Sequence, residues 1–144
     1  MKTSSLPALP CLCASFRRAT RALTQHYDEA MRPAGLRATQ FTLLQALSLT
    51  GEVTQGRLGQ ILAMDSTTLT RTLEIMTRRG WVAKKQGKDR RERRLGLTKA
   101  GQAQFERALP RWDKLQADLR HRLGAEPWDS LMQLTRNVTT IVTE

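Results

Sequence analysis

The side chains with the clearest chemical potential are the arginines and lysines between Arg71 and Lys99. This stretch holds eleven Lys and Arg against three Asp and Glu, a local net charge of +8 in a chain whose formal net charge is +11. Positive charge concentrated in one place is typical of a surface that binds a polyanion such as nucleic acid. A charge run can also be only a solvated face, so the surrounding elements must decide between the two interpretations.

Hydroxyl side chains gather just before the basic run. Apolar residues at Leu69, Leu73 and Met76, with Thr72 beside them, predict the inward stripe of a helix that starts near Ser66. The opposite face of that helix carries Thr67, Thr68, Thr70, Arg71 and Glu74. Short hydroxyl side chains and an arginine near a helix N-terminus suit contact with base edges and phosphates.

A shorter helix is predicted immediately upstream. Thr54 can cap it, and its apolar face would hold Leu58, Ile61 and Leu62. Residues 63–64 form the break, Asp65 or Ser66 caps the helix that follows, and Gly80 ends it. Two short helices joined by a tight break predict a helix-turn-helix unit.

A β-hairpin is predicted after the second helix. Residues 81–83 form a short apolar run that can start a strand, and residues 94–97 alternate like its return partner. Residues 84–93 would form a basic tip with Gly87 in the turn, and Thr98 would cap the next helix. A hairpin in this position is the wing of a winged helix-turn-helix fold.

The run GWVAKKQGKDRRERRLGLTKAG resembles the MarR family of bacterial transcriptional regulators. In that family the wing has the pattern Asp-x-Arg, followed several residues later by Leu-Thr-x-x-Gly. The matching positions here are Asp89, Arg91, Leu97, Thr98 and Gly101. The resemblance covers residues 36–101, and the flanking helices fit the same plan.

The resemblance implies a division of roles along the DNA-facing side. Arg91 would enter a minor groove, Asp89 would brace it through an ion pair, and the helix from Ser66 would lie in the major groove. The arginines at the tip are denser than the family pattern requires. We therefore predict double-stranded DNA contacts by Ser66, Thr67, Thr68, Thr70, Arg71, Lys84, Lys88, Asp89, Arg90, Arg91 and Arg93.

Two helices are predicted before the winged unit. The first spans residues 11–31 and is ended by Pro33 and Gly35, while Thr39 is the expected cap of a second helix that Gly51 closes. Their apolar stripes comprise Leu12, Phe16, Ala19, Leu23, Tyr27 and Ala30 in the first, and Phe41, Leu44 and Leu47 in the second.

Two more amphipathic helices are predicted after the wing, with Gly124 and Pro127 between them and Pro110 bending the first. Their stripes comprise Phe105, Leu109, Trp112, Leu115, Leu119 and Leu123, then Trp128, Leu131, Leu134, Val138 and Ile141. A winged unit spanning residues 36–100 is too small to cover the stripes of the first helix and the last two. An isologous homodimer is the expected solution, and packing of the three helices within one chain is the alternative.

The predicted fold class is mainly α with a small β-hairpin wing (α+β), a winged helix-turn-helix domain plus long dimerisation helices from both termini. Residues 1–35 would form an N-terminal arm and dimerisation helix, residues 36–100 the DNA-binding region, and residues 101–144 the C-terminal dimerisation helices of one continuous unit. No apolar run approaches the about 20 residues that span a bilayer, and Pro7 and Pro10 argue against a signal peptide. We expect a cytoplasmic protein with no membrane partner.

Cys11 and Cys13 are the remaining chemical candidates. Both would lie in the first turn of the first helix, near Arg17 and Arg18. A helix N-terminus and nearby cations favour a thiolate, so a redox role is physically reasonable. The other interpretation is that both cysteines simply pack at a dimer seam. Metal binding by thiolates of two subunits is a third possibility, but no histidine follows at ligand spacing.

The leading hypothesis is a MarR-type homodimeric regulator that binds a pseudo-palindromic operator and acts as a repressor released by a small-molecule or oxidative effector. The resemblance implies an effector pocket between the winged domain and the dimerisation helices. No cofactor, metal ion or enzymatic activity is predicted, since the sequence has no Gly-rich phosphate loop, no His-x-x-x-His pair and no Cys-x-x-Cys. The alternatives are a winged-helix module that docks an acidic protein partner, and a thiol-based redox protein that uses Cys11 and Cys13.

Overall fold

The computed structural model describes residues 6–89 and 91–144, and it confirms a mainly helical fold with a small antiparallel sheet. Its helices are α1 (Leu12–Met31), α2 (Ala38–Thr50), α3 (Gln55–Leu62), α4 (Ser66–Arg78), α5 (Lys99–Leu123) and α6 (Ala125–Thr143), with a 3-10 turn at Arg32–Ala34 after α1. Its strands are β1 (Val53–Thr54), β2 (Val82–Gln86) and β3 (Arg93–Leu97). The spatial strand order is β1-β3-β2, and both pairings are antiparallel.

The core lies where α2, α3 and α4 pack against the inner face of the sheet. The largest side chains with less than 2% exposure include Leu43, Leu44, Leu47, Leu58, Leu69, Leu73, Met76 and Leu95. Aromatic rings extend this core toward α5, because Phe41 lies 5.5 Å from Phe105 and 6.0 Å from Trp112 between ring centroids. The winged unit and the first half of α5 therefore share one apolar interior.

The turn between α3 and α4 follows the expected caps. Thr54 Oγ1 accepts the backbone N–H of Arg57 at 3.1 Å, and Asp65 Oδ2 accepts that of Thr68 at 3.1 Å. Ala63 adopts a left-handed conformation with φ 49°, which turns the chain between the two helices. One expectation was wrong: Ile61 is 42% exposed, since the tight turn directs only Leu58 and Leu62 toward the core.

The expected cap of α2 was also wrong, because the helix begins at Ala38 rather than after Thr39. The N–H of its first residue is bonded from α1, and the N–H of the cap residue Arg37 is bonded by a glutamine of α2 itself. Asp28 Oδ1, on α1, accepts the N–H of Ala38 at 2.7 Å, and Gln40 Oε1 accepts the N–H of Arg37 at 3.0 Å. A tertiary cap of this kind leaves no local sequence signal.

The sheet differs from the expected two-stranded hairpin in two ways. β2 extends to Gln86 and β3 starts at Arg93, so the tip is shorter than predicted. The two-residue strand β1 also adds to the outer edge of β3, with Val53 opposite Leu95. A strand this short has no alternation to detect, and it forms because α3 starts directly beside the wing.

The corner between α4, the wing and α5 is closely packed. Thr98, the expected cap of α5, accepts the N–H of Gly101 at 3.0 Å and donates its hydroxyl to the carbonyl oxygen of Gly80 at 2.5 Å. A Cβ atom on Gly101 would lie 2.1 Å from the carbonyl oxygen of Trp81. The motif Leu-Thr-x-x-Gly therefore marks the point where α5 crosses the backbone that leaves α4.

We predict that Gly101→Ala lowers the free energy of unfolding by about 1–3 kcal/mol, because the added methyl group cannot fit against the Trp81 carbonyl. Gly56→Ala is the matched control, since it places the same methyl group on a helix in open space. It should raise the free energy of unfolding by less than about 1 kcal/mol. Urea unfolding at one fixed protein concentration measures both. Equal stability of the two variants would contradict the packing argument.

Candidate nucleic-acid interface

The outer face of α4 presents the predicted hydroxyl groups together. Ser66, Thr67, Thr70, Arg71 and Glu74 line one shallow concavity, and Thr68 is exposed beside it. The concavity is open to solvent. It offers hydroxyl groups and one guanidinium at the N-terminal half of a helix, as contact with base edges requires.

The cap of α4 also carries charge. Hydrogen bonds from the side chain and then the backbone of Thr68 hold the pKa of the Asp65 carboxyl below its usual value. The Asp65 carboxylate therefore stays ionised at neutral pH, where it stabilises the helix N-terminus. Because the folded pKa is depressed, this contribution is present above the unfolded pKa and is lost as the pH falls through the folded value.

The wing tip is a closed loop between β2 and β3. The N–H of Gly87 donates to the carbonyl oxygen of Glu92 at 2.8 Å, and the N–H of Glu92 donates to that of Asp89 at 2.9 Å. A Cβ atom on Gly87 would lie 2.9 Å from Glu92 Cβ, so glycine suits the point where the tip folds over that side chain. Arg90, a predicted DNA contact, lies outside the described residues.

The expected ion pair between Asp89 and Arg91 is wrong for this structure. Asp89 Oδ1 instead accepts the backbone N–H of Arg91 at 3.2 Å, an Asx turn. The ion pairs formed among the described residues are Lys85–Glu52, Arg94–Glu92 and Arg120–Asp129. Asp89 Oδ1 therefore shapes the backbone of the tip, and Arg91 is exposed.

Lys85 and Glu52 fasten the wing to the segment before β1. Lys85 Nζ lies 2.7 Å from Glu52 Oε1, and the hydrogen bond and charge of Lys85 hold the pKa of the Glu52 carboxyl below its usual value. Gly96 leaves room for this side chain, since a Cβ atom there would lie 3.3 Å from Glu52 Cγ. The pair neutralises one wing cation and leaves Lys84 and Lys88 exposed, without an ion pair in the described part of the chain.

A cleft of about 580 Å³ separates the wing from the start of α3. Its wing side consists of Asp89, Arg91, Glu92 and Arg93, and its helical side consists of Thr54, Gln55 and Gly56. Gln55 was missed by the sequence analysis, because a lone glutamine after a cap residue has no distinctive pattern. The structure shows its amide Nε2 donating to Thr70 Oγ1 at 3.0 Å. Gln55 therefore connects the cleft with the outer face of α4.

The candidate cysteines lie far along the chain from this surface, at the start of α1. Cys11 is the cap residue rather than part of the first turn, and its Sγ accepts the N–H of Ala14 at 3.5 Å. Both thiols are exposed, so the redox role stays a prediction. Among the described residues, no three His, Cys, Asp or Glu side chains cluster as metal ligands would, and no helix is long and apolar enough to cross a membrane.

Comparison with known proteins identifies relatives of the chain. Residues 34–92 match a model of the MarR family. The HTH-type transcriptional regulator YwoH of Bacillus subtilis is 29% identical over 108 residues, which cover 75% of this chain and 79% of that protein.

Solved structures show the same similarity over nearly the whole chain. The transcriptional regulator MosR of M. tuberculosis, solved in complex with DNA, is 38% identical, with a TM-score of 0.83 over 92% of this chain and 96% of MosR. A mutant MarR of E. coli complexed with operator DNA is 25% identical, with a TM-score of 0.79 over 88% of this chain and 92% of MarR.

The hydrogen bond between the Asp89 side chain and the backbone of Arg91 yields a prediction. We predict that Asp89→Ala weakens binding to a DNA duplex about three- to tenfold, because the loss of one backbone bond loosens the position of Arg91. Asp89→Asn keeps an oxygen that can accept the same bond and removes the negative charge, so its affinity should equal or exceed that of the wild type. Fluorescence anisotropy with labelled duplex measures both. Tighter binding by both variants would show that net charge outweighs tip geometry.

Proposed function

The chain belongs to the MarR family of transcriptional regulators, and from that premise we propose that it is a homodimer that binds a specific double-stranded DNA site. The single observation that carries the proposal is the continuous surface from α4 to the wing. Hydroxyl groups and Arg71 occupy one end of it, and exposed Arg91 and Arg93 occupy the other. Gln55 touches both parts.

The shape of this surface supports separate roles for its two parts. A helix with short polar side chains fits the major groove, where each base pair has a distinct pattern of donors and acceptors. An extended arginine at the end of a hairpin fits a narrow minor groove, whose negative potential attracts cations. The exposed Lys84 and Lys88 on and beside β2 are suited to phosphates. The acidic-protein alternative is less well supported, because the outer face of α4 lacks the large apolar or aromatic residues expected of a protein-docking helix.

Uncovered apolar side chains on the terminal helices support the homodimer. In α6 no described residue is buried, and Leu134 and Ile141 are 57% and 74% exposed. Leu12 and Leu23 on α1 are 63% and 45% exposed. Two amphipathic helices with bare apolar stripes need a partner, and a second copy with two-fold symmetry covers the same stripes on both chains. The two winged units would then present matched surfaces to a symmetric duplex.

We propose that this regulator acts as a repressor that an effector releases. A protein bound across a promoter blocks transcription directly, and a ligand that favours another separation of the two winged units lowers operator affinity. The solved relative NadR is described in complex with 4-hydroxyphenylacetate. Exposed Cys11 and Cys13 at the start of α1 leave an oxidative effector as the second form of the proposal.

The homodimer sets the spacing of the DNA site. We predict a dimer at micromolar concentration, with its two α4 helices about 34 Å apart and a pseudo-palindromic site whose half-sites are one helical turn apart. Analytical ultracentrifugation gives the oligomeric state, and selection from a random duplex pool gives the half-site spacing. Introducing a charge at the bare stripe with Leu134→Glu should produce monomers, whereas Arg136→Glu on the same helix is the control for added charge. A monomeric wild type in moderate salt would contradict this arrangement.

The two parts of the surface should respond differently to substitution. Arg71→Ala should cost about 1–3 kcal/mol per half-site and relax the preference at one base position. Lys84→Ala or Lys88→Ala should weaken binding to all sequences and reduce the slope of log affinity against log salt by about one per lost phosphate contact. Lys85→Ala is the matched control, since Glu52 already neutralises that charge and the slope should change less. Unchanged affinity for specific and non-specific duplexes in both Arg71→Ala and Lys84→Ala would contradict the assignment.

A further inference from the structure

Gln55, the first residue of α3, contacts the outer face of α4. Its amide Nε2 donates a hydrogen bond to Thr70 Oγ1 at 3.0 Å, and both side chains are half-buried. Thr70 lies on the outer face of α4, within the concavity that also holds Arg71. A neighbouring helix therefore holds one of the hydroxyl groups that face the proposed DNA site.

The Thr70 hydroxyl differs from several other helical threonines of the chain. Thr42, Thr72 and Thr139 each donate their hydroxyl hydrogen to the carbonyl oxygen four residues earlier in the same helix. This is the usual local bond of a helical threonine. Within residues 6–89 and 91–144, Thr70 makes no such bond, and its oxygen accepts from Gln55 instead. Because a hydroxyl has one hydrogen and two lone pairs, the hydrogen of Thr70 remains available to an acceptor outside the protein.

We infer that Gln55 is a specificity-determining residue, which fixes the Thr70 hydroxyl as a hydrogen-bond donor toward the major groove. This rests on the proposed function. The acceptors in that groove are guanine N7 and O6, adenine N7 and thymine O4, whereas cytosine N4 and adenine N6 are donors. With one lone pair already bonded to Gln55, Thr70 favours a base edge that accepts. Gln55 thus acts on base preference through another residue and is a positioning residue for it.

Gln55→Glu should reverse the direction of the hydrogen bond between this side chain and the Thr70 hydroxyl. A carboxylate only accepts hydrogen bonds, so in the Gln55→Glu variant it takes the Thr70 hydrogen and leaves Thr70 with only lone pairs to offer to DNA. The preference at the base contacted by Thr70 should then move toward cytosine N4 or adenine N6. Gln55→Ala removes the amide without supplying an acceptor, so the Thr70 hydroxyl turns freely and the preference at that base weakens.

The probe is a duplex recovered with the wild-type dimer from a random pool, together with every single base-pair substitution in one half-site. Thr70→Val, which keeps the side-chain shape, should reduce the preference at one position about three- to tenfold. Gln55→Ala should reduce the preference at the same position, and the double variant Gln55→Ala/Thr70→Val should lose no more than Thr70→Val alone. Gln60→Ala is the matched control, a glutamine on the same helix whose bond runs to Arg57, and it should leave the profile unchanged. Thermal unfolding of each variant establishes that it is folded.

The outcomes separate this inference from the proposed function. If the wild type recovers no preferred sequence, specific DNA binding itself is wrong and the inference fails with it. If the wild type selects a site but the Gln55 variants lower the affinity for all duplexes equally, Gln55 is only structural and the inference alone is overturned. An effect of Gln55→Ala that multiplies with that of Thr70→Val would overturn it too, since the two residues would then act independently.

Discussion

The packing of α5 against the backbone that leaves α4 is the constraint on which the other geometry depends. Gly101 lies directly on the Trp81 carbonyl, and that oxygen also accepts the N–H of Thr98 at 3.0 Å. The Thr98 hydroxyl reaches the Gly80 carbonyl from the same side. The end of α4, both ends of the wing hairpin and the start of α5 are thus joined within a few residues. A larger residue at position 101 would push α5 away from the Trp81 backbone, at the point where the wing leaves α4.

Two ion pairs of the wing determine which of its basic side chains remain unpaired. Glu52 and Glu92 lie beside Lys85 and Arg94 on the outer face of the sheet and neutralise their charge. Such exposed pairs contribute little stability individually. Their effect is to decide which cations remain available, since Lys84, Lys88, Arg91 and Arg93 have no ion pair among the described residues. The net charge of the chain does not distinguish these unpaired side chains from the paired Lys85 and Arg94.

The elements that the sequence predicted correctly are those fixed by local patterns. The caps Thr54, Asp65 and Thr98 combine a side-chain acceptor with the N–H groups of the next turn, so residue type and position suffice. The features that it missed depend on residues distant in the chain. Asp28 caps α2 from α1, β1 forms only because β3 is beside it, and Gln55 meets Thr70 across the helix-turn-helix. The ion pair implied for Asp89 is not formed in this structure, where Asp89 Oδ1 accepts the backbone N–H of Arg91.

The same contacts divide the chain into a part with a buried core and a part whose apolar side chains remain exposed. Gln104, the one buried polar side chain of the described core, donates to the Ala34 carbonyl and accepts from Arg107 at 3.0 Å. It fastens the first half of α5 to the turn between α1 and α2, while Gly101 fastens it to the wing. Beyond Leu115, no described residue of α5 or α6 is buried. Contacts within one chain therefore set the geometry of the surface proposed to bind DNA. In the proposed homodimer the exposed helices would set the spacing of two such surfaces, and α5 takes part in both sets of contacts.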